Sequence, residues 1–472
     1  MLTMSKRLST GLLVLALLCP AAAPTVALAQ DATRTLPESH EQMQLSFSPL
    51  VKRTAGAVVN VYAERMVQQQ SPFAGDPFFE QFFGQRMPNR SEKQSSLGSG
   101  VILSQDGLVV TNNHVVENAD DIKIALADGR EFPCEVVLKD ATVDLAVLRI
   151  KSKEHFPVLA LGNSDKVEVG DLVLAIGNPF GVGQTVTSGI ISGLARNQIS
   201  SGDFGVFIQT DASINPGNSG GALMNMNGDL IGINTAIFSR GGGSNGVGFA
   251  IPANLVKVFL AAAADGKKSF ERPYVGATFD AVTSDIAEAL GLKAARGALV
   301  TRVTEGGPAD KAGLKPGEVV TAVDGEPVEH PDALGYRLTT AGLGHEATLS
   351  LQTANGVQQT KLKLEAPPET VAPDERLIDG RNPFSGLRVA NLSPKLATGL
   401  QMSPDKTGVV VEDVSRGSPA ARLGFAPKDI LIGLNGDNIT STKTLSSMLN
   451  DSPSVWRVEI ERDGKRIRQF FR

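Results

Sequence analysis

The chain has 472 residues, of which 42% are hydrophobic and 20% charged, and a formal net charge of −5. The length predicts about three folded domains, and the mildly acidic balance argues against a nucleic-acid partner.

The N-terminus has the features of an export signal. Lys6 and Arg7 precede a short apolar run at residues 11–18, and the small-x-small pattern at 27–29 fits a cleavage site. The apolar run is too short for a membrane anchor, which needs about 20 apolar residues. We therefore predict a cleaved signal peptide at residues 1–29 and a periplasmic location.

The two cysteines carry little functional signal. Cys19 would suggest a lipoprotein, but the large Leu18 before it disfavours that interpretation. Once the signal is removed, Cys134 is the remaining cysteine, so no internal disulfide is expected. Its apolar-polar alternating context predicts a small core residue.

Residues 30–268 are predicted to form the first folded unit, with a long insertion at 66–97. The insertion combines glutamines, prolines and glycines with Phe73, Phe78, Phe79, Phe82 and Phe83. Disorder is one interpretation, but clustered phenylalanines are unusual in disordered segments. A loop that docks on its own protein or on a neighbouring subunit is the alternative.

The rest of this unit predicts an all-β barrel or sandwich. Short apolar runs alternate with Gly, Asn and Asp turns, and no long helical period intervenes. The predicted strands lie at 100–103, 108–111, 122–125, 145–150, 172–176 and 230–234.

The stretch NPGNSGG at 215–221 places Ser219 on a glycine-framed turn, which suits an exposed nucleophile. The backbone amides at Gly217, Asn218 and Ser219 are candidates for an oxyanion hole, with those of Gly217 and Ser219 the natural donors. The alternative is a glycine-rich turn with an ordinary serine.

A base and an acid for Ser219 lie earlier in the chain. His114 follows a predicted strand, and histidine titrates in the range that a general base needs. Asp144 precedes an apolar strand that can bury and fix its carboxylate, which would hold the imidazole in the correct tautomer. Asp140 competes for this role, and we prefer Asp144 because of the strand that follows it. The order His, Asp, Ser is that of chymotrypsin-like barrels.

These motifs resemble those of the HtrA/Deg serine proteases. The resemblance rests on TNNHVV at 111–116, DLAVL at 144–148, TDA at 210–212 and GNSGG at 217–221, in that order. It implies a mostly β fold, with a trypsin-like double β-barrel carrying the triad His114, Asp144 and Ser219. By the same likeness, the insertion at 66–97 is a regulatory loop.

The resemblance also implies a substrate pocket formed by Ser213, Thr235, Ala236 and Ile237. Trypsin-like enzymes carry an acid six residues before the nucleophile, where this chain has Ser213. Basic residues would therefore gain no buried ion pair, and small aliphatic residues are expected before the scissile bond.

After residue 251 the chain changes character. Residues 253–264 have helical apolar spacing and end at Asp265-Gly266, which predicts a helix. An internal repeat with an offset of 111 residues follows, and its matched positions include Gly297 and Gly408. We predict two copies of one module at 272–366 and 381–472, joined by a proline-stiffened linker at 367–380.

Both copies resemble PDZ domains, which add an extended peptide to a sheet edge and capture its C-terminal carboxylate with loop amides. In the first copy this loop is Tyr274-Val275-Gly276-Ala277, and in the second it is 384–387. The first copy keeps the pattern better, so we expect ligand binding there and assign assembly to the second. The alternative is that these glycines are only turn residues.

Taken together, the resemblance implies an ATP-independent endopeptidase that cleaves unfolded envelope proteins and also acts as a chaperone. The sequence contains no phosphate-binding Gly-x-x-x-x-Gly-Lys-Ser/Thr loop, and no cofactor or metal is expected. The implied partners are unfolded polypeptides, their C-termini and copies of the chain itself, in trimers and larger trimer-based cages. The alternative is a PDZ-bearing chaperone or scaffold whose barrel no longer cleaves.

Overall fold

The computed structural model describes residues 46–68, 91–178, 183–196, 206–215, 217–237, 244–449 and 455–471. The predicted signal peptide and the five phenylalanines of the 66–97 insertion lie outside these residues. Within the described ranges, no helix is long and apolar enough to cross a membrane.

The first six strands close into a barrel in the order β1-β2-β3-β6-β5-β4. Helix α1, Ser48–Thr54, precedes the barrel, and the short helix α2, Asn113–Val116, follows its third strand. The strands are β1 Val58–Gln68, β2 Ser91–Ile102, β3 Leu108–Thr111, β4 Asp121–Ala125, β5 Glu131–Asp140 and β6 Leu145–Ile150. Strands β1 and β2 pair from Val58↔Val101 to Gln68↔Ser91, so the two ends of the predicted insertion form a β-ribbon.

The next six strands close into a second barrel in the order β10-β11-β12-β9-β8-β7. These strands are β7 Leu172–Gly177, β8 Thr185–Arg196, β9 Phe207–Thr210, β10 Ala222–Met224, β11 Leu230–Ile237 and β12 Gly248–Pro252.

Strand β6 illustrates why the apolar runs are nearly continuous. Leu145 and Val147 pack into a core cluster shared with second-barrel residues such as Ile176. Ala146 and Leu148 point the other way, into the interior of the first barrel. Because successive side chains of a strand face opposite sides, a strand buried on both faces must be apolar throughout.

Helix α3, Ala253–Ala264, has the predicted bounds. Its buried residues Leu255, Val256 and Phe259 recur at helical spacing and join the core between the barrels. Phe259 also packs on Phe270, with ring centroids 5.0 Å apart, which holds the chain as it leaves the second barrel.

Two sheet-and-helix modules of matching order follow. The first has the strand order β13-β14-β15-β17-β18, and the second has the order β20-β21-β22-β24-β25 with an additional strand, β19, beside β20. The first module contains β13 Ala277–Ala281, α4 Ser284–Ala289, β14 Ala298–Val303, α5 Pro308–Lys311, β15 Val319–Val323, β16 Glu326–Pro327, α6 Pro331–Ala341, β17 Glu346–Thr353 and β18 Gly356–Lys363. The second contains β19 Arg376–Leu377, β20 Leu387–Leu392, α7 Pro394–Gly399, β21 Gly408–Val414, α8 Pro419–Arg422, β22 Ile430–Leu434, β23 Asp437–Asn438, α9 Thr442–Met448, β24 Trp456–Arg462 and β25 Lys465–Phe471.

The predicted repeat extends to individual hydrogen bonds. Thr304 N donates to Gly276 O at 2.8 Å in the first module, and Ser415 N donates to Gly386 O at 2.8 Å in the second. Both glycines have positive φ, +69° for Gly276 and +94° for Gly386, a conformation that other residues rarely adopt. The two loops therefore have the same local geometry.

The structure differs from the sequence interpretation in the stretch read as a linker. Residues 367–380 include β19, which pairs with β20 and extends the sheet of the second module. At the start of the same stretch, Pro368 O accepts a bond from the backbone N–H of Lys395 in α7 at 3.2 Å.

The first module contacts the barrels through Tyr336 and Arg337 of α6. Tyr336 donates its hydroxyl to Asp165 Oδ1 at 3.1 Å, and Arg337 forms an ion pair with Asp165 at 3.0 Å. Asn254 of α3 also donates to Asp165 Oδ2, at 2.7 Å. Burial raises the pKa of the Tyr336 phenol, so this group stays a neutral donor. These contacts connect α6 directly to the barrels.

Candidate active site

His114 and Asp144 meet at one edge of the first barrel. His114 lies on α2, directly after β3, and Asp144 precedes β6, which pairs with β3. His114 Nδ1 is 2.8 Å from Asp144 Oδ2, and the backbone N–H of His114 donates to Asp144 Oδ1 at 3.0 Å. The backbone carbonyl of Asp144 accepts a bond from Asn112 Nδ2 at 3.0 Å. The acid thus holds both the imidazole and the chain that carries it.

Thr235 of the second barrel completes this contact. Its hydroxyl donates to Asp144 Oδ2 at 2.7 Å, and its carbonyl accepts the hydroxyl of Ser219 at 3.2 Å. Among the described residues, Thr235 O is the hydrogen-bond acceptor of Ser219, and His114 is not. Thr235 is one of the predicted pocket residues, and its hydroxyl contacts the acid. A rotation of the Ser219 side chain would be needed to bring Oγ to the imidazole.

Ser219 lies on a turn whose backbone groups are mostly engaged. Asn218 N donates to Asn215 O at 2.9 Å, and Gly220 N donates to Asn234 O at 2.8 Å. The amides of Gly217 and Ser219 donate to no other residue in the described part of the chain. Of the three predicted oxyanion donors, the Asn218 amide is therefore occupied within the turn, and the other two have no acceptor among the described residues.

The glycines of this turn are required by close packing. A Cβ on Gly220 would lie 2.1 Å from Ser99 O, and one on Gly221 would lie 2.3 Å from Ile176 O. Gly217 and Gly220 have φ of +100° and +81°. Any side chain at these positions would displace the backbone that carries Ser219.

Ser99 is a residue of this site that the sequence interpretation missed. It is fully buried, and its hydroxyl donates to Gly217 O at 2.5 Å while accepting from Asn178 N at 2.8 Å. Its own N–H donates to Ser219 O at 2.8 Å. Ser99 thus fixes carbonyls on both sides of the Ser219 amide. The only available signal was its position between two glycines at the end of β2.

The predicted pocket residues lie beside the turn. Ser213 O accepts bonds from Thr187 Oγ1 at 2.9 Å and from Asn218 Nδ2 at 3.5 Å. The backbone of Ala236 and Ile237 continues β11 beyond Thr235 and pairs with β12.

Asp140 has a different set of partners from Asp144. Its Oδ1 accepts the backbone N–H groups of Thr142 at 2.8 Å and Val143 at 3.2 Å. The same oxygen is 3.4 Å from Arg272 Nη2, at the start of the first module. Asp140 therefore links the segment beside Asp144 to the first module.

A cavity of about 650 Å³ lies along the first module's predicted peptide-binding loop. Residues 274–277 and α6 line it, with Leu334 and Leu338 among the apolar side chains. Val275 O and Gly276 O accept bonds from Ala309 and Thr304. The amides of Val275 and Gly276 donate to no described residue, so they are available to an anion.

No group of three or more His, Cys, Asp and Glu side chains within the described ranges is arranged to hold a metal ion.

Comparisons with known proteins agree with this architecture. A model of trypsin-like peptidase domains matches residues 98–233, and models of PDZ domains match residues 299–352 and 397–468. The chain is 36% identical over 463 residues to the periplasmic serine endoprotease DegP of Escherichia coli, covering 93% of this chain and 94% of that one. It is 37% identical over 424 residues to the periplasmic pH-dependent serine endoprotease DegQ of the same organism, covering 89% and 90%. A solved structure of the HtrA-type protease AlgW with a decapeptide has a TM-score of 0.52 and 42% identity, covering 69% of this chain and 99% of that one.

Proposed function

The chain belongs to the HtrA family of serine endoproteases, and from this premise we propose that it degrades misfolded or unfolded envelope proteins without ATP. We further propose that it is exported by a signal peptide at residues 1–29, acts in the periplasm and also holds unfolded chains as a chaperone. The periplasmic names of DegP and DegQ support the location.

The observation that carries the proposal is the chain of hydrogen bonds from His114 through Asp144 and Thr235 to Ser219, which joins the two barrels. In the proposed mechanism, Ser219 Oγ rotates from Thr235 O to His114 Nε2 and attacks the substrate carbonyl. His114 takes the proton as general base and later gives it to the leaving amine. Asp144 keeps the imidazole in the tautomer with Nδ1 protonated and stabilises its charged form.

The oxyanion of the tetrahedral intermediate would be bound by the two free amides, those of Gly217 and Ser219. Donors that are already aimed at the oxyanion need little reorganisation when charge develops. Water then attacks the acyl-enzyme with His114 again as base, which releases the second product and restores Ser219. Ser213, Thr235, Ala236 and Ile237 are proposed to form the substrate pocket beside this centre.

We propose that the first PDZ domain binds the C-termini of unfolded polypeptides and activates the protease. The amides of Val275 and Gly276, which donate to no described residue, support carboxylate capture, and the edge of β13 that pairs with no described strand supports strand addition. The ion pair of Arg272 with Asp140 gives a direct path from this domain to the segment that holds Asp144. The proposed assembly is a trimer that expands into larger trimer-based cages.

The test is cleavage of unfolded casein together with labelling by a fluorophosphonate probe. The wild-type chain should cleave casein without ATP and become labelled once per chain. Ser219→Ala should do neither, while its thermal unfolding and peptide binding stay unchanged. A wild-type chain that binds casein but neither cleaves it nor reacts with the probe would indicate the chaperone or scaffold alternative. Wild-type-like turnover by Ser219→Ala would refute the triad assignment.

A further inference from the structure

The two PDZ domains differ at the edge where a peptide would bind. In the first domain, β13 is the last strand of its sheet and pairs only with β14 among the described strands. In the second domain, the equivalent strand β20 pairs with β21 on one side and with β19 on the other. The strand β19 therefore occupies the position that an added peptide would take.

The segment 373–378, here called the strap, follows the geometry of such a peptide. It runs antiparallel to β20, with Arg376 opposite Val389 and Leu377 opposite Arg388. Asn391 N donates to Pro373 O at 2.6 Å at one end, and Ile378 N donates to Leu387 O at 2.8 Å at the other. The strap thus approaches the carboxylate loop with its C-terminal residue, as a peptide ligand of a PDZ domain does.

Ile378 occupies the place of a ligand's last residue. Its side chain is only 5% exposed and belongs to a core cluster with Phe384, Leu387 and Leu445 of α9. Its carbonyl accepts the N–H of Gly386 at 2.8 Å. Gly276, the equivalent residue of the first domain, has a free amide. The carboxylate loop of the second domain is therefore already engaged.

Side chains of the strap also bind the helix on the other wall of the groove. Thr442 of α9 donates its hydroxyl to Asp374 Oδ2 at 2.6 Å, and Arg376 donates to Ser446 Oγ at 3.2 Å. The Thr442 hydroxyl, followed by Arg376, holds the pKa of the Asp374 carboxyl below its usual range. The strap therefore contacts both β20 and α9.

We propose that residues 373–378 are a built-in ligand of the second PDZ domain, which closes its groove to peptide C-termini and leaves the first domain as the peptide sensor. Residues 379–383 connect Ile378 directly to the loop that it contacts. A short tether of this kind gives an effective concentration in the millimolar range, so free peptides at micromolar concentration do not displace the strap. The proposal deepens the proposed function, because it assigns peptide sensing to one of two similar domains.

The first arm of the test needs no peptide. Hydrogen exchange of the full-length protein, in the Ser219→Ala background, should find the Ile378 and Gly386 amides protected by at least about a hundredfold over the denatured chain. Exchange of these two amides at the rate of an open loop would overturn the proposal.

The second arm compares two adjacent substitutions in the same background. Ile378→Asp places a charge in the apolar pocket and should release the strap, whereas Leu377→Asp changes a side chain that is 65% exposed. The probe is a synthetic peptide with the sequence of residues 371–378, VAPDERLI, which contains the strap, and with a free C-terminus. By calorimetry, Ile378→Asp should bind one more peptide per chain than Leu377→Asp.

Folding of the second domain is checked in the same samples through the Val411 amide, which donates to Asp429 O within that domain. If Ile378→Asp loses this protection, Ile378→Ala repeats the comparison with a milder change. A variant that keeps the Val411 amide protected and exposes Gly386, yet takes up no additional peptide, would overturn the assignment of the groove. Failure of the first domain to bind peptide would count against the proposed activation and not against the strap.

Discussion

At the scale of single residues, Ser99 binds the Ser219 turn at two points. It contacts the carbonyls of Gly217 and Ser219, which belong to the peptide units on either side of the Ser219 amide. A hydrogen bond to a carbonyl resists rotation of its peptide unit, so these two contacts restrain the units on either side of the Ser219 amide. Ser99 is therefore a positioning residue for the proposed oxyanion hole.

Ser99→Ala should lower kcat for a peptide substrate with little change in KM, because the interaction it supports is made in the transition state. The loss should be smaller than the roughly 10²-fold to 10³-fold cost of removing a donor outright, and Ser99→Cys should recover part of it. Ser104→Ala is the matched control, because Ser104 accepts a backbone bond from Leu108 at 2.9 Å in the same barrel, away from the turn. An unchanged kcat in Ser99→Ala would remove Ser99 from the mechanism.

The two neighbouring acids allow a second test. Asp144→Asn should reduce kcat by on the order of 10⁴-fold, because an amide favours the wrong imidazole tautomer. Asp140→Asn keeps an oxygen for the Thr142 and Val143 amides and should retain catalysis. The measurement is steady-state cleavage of a reporter peptide, with fluorophosphonate labelling as a check on Ser219. If Asp140→Asn is the damaging change instead, the acid has been assigned to the wrong residue.

The sequence analysis singles out residues that carry their own local motif and misses those defined by distant contacts. His114, Asp144 and Ser219 each lie in a short recognisable pattern, and the structure brings them to one junction between the barrels. Ser99 lies 118 residues before Gly217, its bonding partner. Its role depends on backbone carbonyls that no local pattern specifies.

At the scale of elements, α3 was predictable and β19 was not. The helix has a sustained apolar period and a glycine stop, whereas β19 is Arg376–Leu377, too short for any period. It becomes a strand because β20 and α9 form a groove that fits it. Strand β2 also begins at Ser91, earlier than the predicted 100, because the polar residues there pair with β1. These polar residues form a strand because their backbone pairs with β1, and not because apolar residues alternate there.

The elements around the proposed pocket predict its specificity. Ser213 brings no charge to the position where trypsin-like enzymes carry an acid, and its carbonyl is held by Thr187 and Asn218. We expect cleavage mainly after small aliphatic residues such as Val or Ala. Ser213→Asp should add cleavage after Lys and Arg, whereas the neutral near-isostere Ser213→Asn should not. Mass spectrometry of casein fragments measures this, and a dominant Lys/Arg preference in the wild type would contradict the pocket assignment.

At the scale of the whole molecule, the predicted fold class is confirmed as a double β-barrel followed by two PDZ domains. The strand pattern predicted an all-β barrel or sandwich, and the repeat offset of 111 residues predicted two copies of one module. The double barrel and the PDZ folds followed from the resemblance to the HtrA/Deg proteases. The sequence did not indicate how the first PDZ domain contacts the barrels. The ion pair of Arg272 with Asp140 and the contacts of Tyr336 and Arg337 with Asp165 join residues more than 130 positions apart. Such contacts follow from tertiary packing and carry no local pattern.

These contacts lead to a prediction about coupling between the halves of the molecule. A protease that digests unfolded chains must be restrained when none are present. A peptide activates only if it binds the active arrangement more tightly than the resting one, and coupling of this kind is on the order of 1–3 kcal/mol, roughly five- to 150-fold. Peptides with a free, apolar C-terminus should therefore speed cleavage of a separate reporter peptide within that range.

Amidating the C-terminus should weaken the effect, because the amides of Val275 and Gly276 lose their anion. Deleting residues 272–472 should abolish the response while Ser219 still reacts with the probe. Equal activation by the acid and the amide would exclude carboxylate capture, and undiminished activation after the deletion would locate the sensor in the barrels.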